Sequence, residues 1–368
     1  MTRRIIILCV AFCVMCSAAL AQDSHCQLNI GMHHEETEKT ASLDLIIEGE
    51  EAFLLSELFP SYKVKVGNVA PENLNAVLEY PSAMMMHTPE SVRTAMDEWT
   101  AGLDTEKTEG LFAGDLFDEA VDVRKGICSQ KELLSLLEKV FPFFLGISAI
   151  HDQTYRSETE GFSVQFGIYD SGKYYSFTGM DKEKTLFTAS VDFSEDNRIG
   201  LLFGYPENAC NYYWKIILQF QLPEQISVQS SFYSDPEQNG FRYTDSGTPV
   251  LSGNWMLTAD EIRDQVSFKG ELLPQNDLNP IEVNGSITKD ADQFFYAEMR
   301  FRDFNDSWLF ASMKTDHQIP DAKELKEISL SEIDDQFRTE LAGTILSLSP
   351  FFVLAVPADY IVKLLSAE

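Results

Sequence analysis

From Phe162 to about Met313 apolar and polar residues alternate in short runs, and this period of two constrains the fold more than any other feature of the chain. In 211–222 the even positions Tyr212, Trp214, Ile216, Leu218, Phe220 and Leu222 are apolar, while Asn211, Lys215, Gln219 and Gln221 face the other way. Phe162, Val164, Phe166 and Ile168 obey the same rule, as do Ile262, Val266, Phe268 and Leu272 against Arg263, Gln265, Ser267, Lys269 and Glu271. Turn residues separate the runs at Asp170-Ser171-Gly172, Glu195-Asp196-Asn197, Asp245-Ser246-Gly247 and Lys289-Asp290. The pattern predicts an antiparallel meander of about twelve strands, one of them at 240–244, each with a dry and a wet face.

The flanks read differently. Candidate strands at 42–48 and 61–67 precede helices at 89–99 and 129–150. Thr88-Pro89 supplies an N-cap and a first-turn proline, and Ser129 with Glu132 makes a capping box ahead of Leu133, Leu136 and Leu137. After the meander Ser329 and Glu332 repeat that spacing before Ile333, Phe337 and Leu341, and a second apolar segment runs from Phe351 to Leu365 behind Pro350. The expected division is a leader at 1–21, a mixed strand and helix segment at 22–155, the meander at 156–318, and helices at 319–368 that pack on the sheet.

Twelve strands about 4.8 Å apart make a flat sheet nearly 60 Å wide, which one or two helices cannot cover. Such a sheet must curl, split into two layers, or leave an apolar concavity under the helices. The expected class is α+β, a curved sheet or half-barrel packed against N- and C-terminal helices. In strand and helix order it resembles periplasmic lipoprotein carriers and related envelope lipoproteins of mycobacteria and Gram-positive bacteria. That resemblance implies an apolar cavity and a lipid or other apolar ligand. Phe143, Phe144, Phe351 and Phe352, in the flanking helical segments, are the candidates for a lid over such a cavity.

The first 21 residues place Arg3 and Arg4 before an apolar run from Ile5 to about Met15, then small residues ending Ala19-Leu20-Ala21. This is the order of a cleavable signal peptide, and it predicts a secreted or otherwise extracytoplasmic protein. Removing it takes away two basic residues and no acid, so the mature chain is two units more negative than the −30 of the full sequence. Nucleic acid and anionic membrane surfaces would repel such a chain. Cys26, Cys128 and Cys210 remain after cleavage, enough for at most one intramolecular disulfide.

No motif nominates a catalytic residue, a cofactor or a metal. The Asp170 and Asp245 triplets invite comparison with the paired aspartates of an aspartic peptidase, but Asp and Gly are also what hairpin turns need. His25, Cys26, Met32, His33 and His34, and Met84, Met85, Met86 and His87, lack a fixed ligand spacing and read as a flexible N-terminal tail and a methionine cluster. Adjacent aromatics at Tyr212, Tyr213 and Trp214, at Phe294, Phe295 and Tyr296, and at Trp308 and Phe310 read as ordinary strand formers. The expected function is non-catalytic: an apolar or amphipathic ligand, or an envelope component, held between sheet and helices. The second reading is a structural or interaction module that presents the polar sheet face to another protein, and the third is a hydrolase of unrecognised type.

Overall fold

The computed structural model describes residues 24–48, 51–68, 88–110, 121–129, 132–133, 135–136, 162–207, 210–221, 225–235, 249–260, 262–274, 278–288, 293–302, 307–316, 322, 324–329, 333–354 and 356–360. The N-terminal strands are β1 (Ser24–His34), β2 (Thr37–Glu48), β3 (Glu51–Ser56) and β4 (Tyr62–Asn68), followed by helix α1 (Pro89–Ala101). Next come β5 (Thr105–Gly110), β6 (Val121–Cys128), β7 (Phe162–Tyr169), β8 (Tyr174–Asp181), β9 (Lys184–Asp192) and β10 (Arg198–Glu207). The chain continues with β11 (Cys210–Gln221), β12 (Gln225–Asp235), β13 (Pro249–Asp260), β14 (Gln265–Pro274), β15 (Ile281–Thr288), β16 (Phe295–Phe301) and β17 (Ser307–Asp316). It ends with β18 (Lys326–Ser329) and α2 (Asp335–Leu354).

All eighteen described strands belong to one mixed sheet that is not closed. Neighbours run antiparallel from β5 through β17, then to β1, β2, β3 and β4, and β18 joins β4 in parallel. The described part of the expected meander, β7 to β17, has eleven strands, so the count of about twelve is not confirmed, and the molecule is mostly β with few helices. Alternation exposed the meander, but β1 to β4 and β18 reach the sheet by long-range pairing, which no local pattern announces. The expected strand at 240–244 lies outside the described residues.

Other expectations are corrected by the same pairing. The His25 to His34 stretch is not a tail: β1 lies between β17 and β2, bonded along both sides. Ile262 is not a strand residue, because 262–264 turn between β13 and β14 and the Asp260 carboxylate accepts from the Ile262 and Arg263 amides. Ser329 ends β18 instead of opening a helix, and Asp334 caps α2 by accepting from the Phe337 amide at 2.7 Å.

Local signals that needed no partner strand appear as read. Thr88 caps α1 by accepting from the Ser91 amide at 3.2 Å, with Pro89 in its first turn. Glu132 accepts from the Ser129 amide at 2.7 Å while its own amide donates to the Ser129 hydroxyl, the reciprocal pair of a capping box. Asp170, Ser171 and Gly172 all have positive φ in the tight turn between β7 and β8.

Register fixes the two faces, because residues directly opposite on neighbouring strands point the same way. One row runs Val191, Leu201, Ile216, Ser230, Gly253, Leu272, Ile281 and Phe301. The next runs Ile199, Leu218, Val228, Trp255, Gly270, Val283, Met299 and Leu309. From β10 to β17 neither row carries a charge. The opposite face alternates with it, as in Asn254, Glu271, Glu282, Arg300, Trp308, His33 and Glu38.

Among the described residues, helices cover parts of the apolar face. Phe337 and Leu341 of α2 share a core with Leu28, Leu45, Leu54, Val64, Met313 and Ile328. Val92, Met96 and Trp99 of α1 share another with Val164, Phe166, Ile168, Phe177 and Ile199, and the Trp99 indole donates to the Glu132 carbonyl at 2.8 Å. A third group forms where Val356 and Tyr360, beyond α2, meet Leu272, Ile281, Met299, Phe301 and Leu309.

Candidate functional site

Between these covered regions the hairpin ends of β9 to β12 carry a row of aromatic rings. Tyr205 and Tyr212 face each other across the β10–β11 hairpin, and so do Phe203 and Trp214 two pairs further from the turn. Ring centroids are 5.9 Å apart for Phe187 and Phe203, 5.4 Å for Tyr205 and Tyr212, and 5.9 Å for Tyr212 and Phe232. Planes in these three pairs lie within 24° of parallel, and Phe203 and Tyr205, 6.1 Å apart and tilted by 41°, link them into a row across four strands.

Local sequence explains the arrangement. Strand periodicity puts all of these rings on the apolar face, and Gly179 leaves room for the Phe187 ring to lie where a Cβ would stand. Gly253 and Gly270 do the same for the Trp255 ring on the neighbouring strands. The Trp214 indole donates to the Ser230 hydroxyl at 2.6 Å, which satisfies the one polar atom it carries and fixes the ring. Yet Phe203 is 42% and Trp214 49% exposed. None of the six rings belongs to the helix-covered cores.

The row carries no carboxylate, imidazole or thiol. What it offers is uncharged surface with ring hydroxyls at Tyr205 and Tyr212, a set suited to desolvating an apolar group.

Charge is concentrated on the opposite face. The Arg300 guanidinium donates twice to Glu298, at 2.9 and 3.0 Å, and sits 4.1 Å from the Trp308 ring centre. His33 stacks on Trp308 at 3.9 Å. The hydrogen bonds from Arg300 hold the Glu298 carboxyl below the usual glutamate range, against the opposing effect of its partial burial. Glu298 also accepts from the Tyr296 hydroxyl at 3.1 Å, and the group reads as a structural polar network.

The residues nominated as a lid are not shown to meet. Phe351 is half-buried in α2 with Lys39 Nζ 5.1 Å from its ring centre, at the β2 end of the sheet and beyond β13 to β17 from the aromatic row. Phe352 lies in α2, with its side chain outside the described set, and Phe143 and Phe144 lie outside the described residues altogether. Asp170 pairs with Lys173 at 2.8 Å in its turn, and Asp245 is outside the described residues. Cys26, Cys128 and Cys210 form no disulfide with one another, and burial, aided by Glu132, pushes the Cys128 thiol up to about 12. Among the described residues no group of His, Cys, Asp and Glu side chains is placed to hold a metal ion.

Sequence reading noticed Tyr212 and Trp214 but assigned them no role, and it passed over Phe187, Phe203, Tyr205 and Phe232. The available signal was symmetry: Tyr205 and Tyr212, and Phe203 and Trp214, are equidistant from one hairpin turn.

No protein-family model and no curated protein matches the sequence. Among solved structures, engineered variants of the Rh. blastica porin align at 7% identity and TM-score 0.26, over 80% of this chain and 99% of theirs. The P. putida toluene transporter TodX aligns at 7% identity and TM-score 0.23, over 83% of this chain and 93% of its own. At those scores the likeness assigns nothing to this chain.

Proposed function

We propose that this is a non-catalytic protein of the cell envelope or its surroundings that holds an apolar or amphipathic ligand on the uncharged face of its sheet. The exposed aromatic row between the helix-covered cores carries this reading. Leaving large apolar side chains in water forfeits about 25 cal/mol for each Å² that a ligand would cover, and an uncharged wall exacts no desolvation of charge from an acyl chain or ring system. The leader-like residues 1–21 support export.

Native mass spectrometry of the protein purified from its own host, compared with its denatured mass, tests the reading. Extra mass in the lipid range should vanish on denaturation, and it should be absent from a Phe203→Ser, Trp214→Ser double variant. A protein that carries no ligand and takes up no fatty acid would abandon this reading for a module that binds another protein through its polar face. A protein that stays in solution only with detergent would instead place the same face against a bilayer.

A further inference from the structure

The two halves of α2 differ in a way the ligand site does not explain. Its first half is charged and anchored: Asp334 pairs with Lys326 at 2.8 Å, Glu340 accepts from the Ser61 amide at 2.9 Å, and Phe337 and Leu341 are buried. From Leu341 to Leu354 the sequence LAGTILSLSPFFVL contains no charged residue. Nevertheless Ile345 is 46%, Leu346 71% and Leu354 47% exposed. An uncharged helix segment with large aliphatic side chains belongs inside a protein or against lipid, and Ile345, Leu346 and Leu354 of this one are not inside.

We propose that the C-terminal half of α2 docks the protein onto a zwitterionic lipid surface. Three observations favour lipid over a second protein. The hydroxyls of Thr344 and Ser347 donate to the carbonyls of Glu340 and Thr344 in the same helix, so neither offers its proton for a directional contact. The three exposed side chains present roughly 300 Å², well short of the about 800 Å² per partner that a stable dimer buries. The segment is about 21 Å long, too short to cross a bilayer but suited to lying in its interface, and no helix among the described residues is long and apolar enough to span one. The charge of −30 on the whole chain selects a surface without net negative charge. Lys39, whose ammonium lies over the Phe351 ring, stands at the edge of the same segment, where a cation would meet lipid phosphate. This inference does not rest on the ligand reading.

Flotation of the full mature protein with phosphatidylcholine vesicles tests it. The protein should float with the vesicles, and Leu346→Glu should lower its partitioning at least tenfold while leaving any co-purifying ligand mass unchanged. A second variant, Leu346→Trp, avoids placing a charge on the helix. Its added fluorescence should be quenched by brominated phosphatidylcholine beyond any quenching of the wild type. Wild-type protein that stays at the bottom of the gradient, or a Leu346→Glu variant that floats equally well, overturns the proposal. So does a concentration-dependent dimer that Leu346→Glu dissociates, since the face would then join two copies.

Discussion

Glu298 shows how one side chain is set by the strands around it. It lies opposite Asn284 on β15 and Phe310 on β17, and accepts both bonds from Arg300, two positions along its own strand. Because Arg300 lowers its pKa in the folded state, ionised Glu298 adds stability above the unfolded value of about 4.3. That contribution is lost as pH falls through the lower folded value. Urea midpoints of wild type and Glu298→Gln should therefore differ by a constant amount near neutrality and converge as the pH is taken well below about 4. A gap that stays the same throughout would mean that the charge contributes nothing. The sequence showed that Glu298 and Arg300 share a face, since strand parity is local. It gave no sign that His33 would complete the stack on Trp308, because that depends on β1 lying beside β17.

At the scale of elements, α2 illustrates a competition between two local signals. Ser329 and Glu332 have the spacing of a capping box, yet 326–329 pairs with 62–65 of β4 as a parallel strand, and the helix starts after Asp334. Pairing satisfies backbone groups along an edge of the sheet, which a shifted helix start would leave open. Asp334→Ala should lower the urea midpoint, as loss of an N-cap does, whereas Asp334→Asn should keep most of that stability. Equal losses in the two variants would assign the effect to the Lys326 ion pair instead of the cap. At Ser129 and Glu132, where no strand competes, the same spacing forms its capping box. Local capping was therefore legible wherever nothing distant opposed it.

For the whole molecule the decisive element is β1, which joins the meander to the N-terminal strands by pairing with β17 on one side and β2 on the other. Asn29→Pro would remove an amide donor and impose a fixed φ at the centre of this strand, and should destabilise the protein by about 3 kcal/mol or more. Lys107→Pro, on β5, which pairs only with β6 among the described residues, should cost clearly less in the same denaturation series. Comparable losses would show that β1 is no more central to stability than β5.

By itself the sequence determined the strand period from Phe162 onward, the turn between β7 and β8, the caps of α1 and Ser129, and the uncharged parity of one sheet face. Each follows from residues a few positions apart, where sterics and local hydrogen bonds act without help from distant chain. Only the tertiary structure decided that β1 is an interior strand, that β18 runs parallel to β4, and that rings from β9, β10, β11 and β12 line up in one row. Those outcomes depend on strand register and on which backbone edges find partners, and both are settled between segments far apart in the chain.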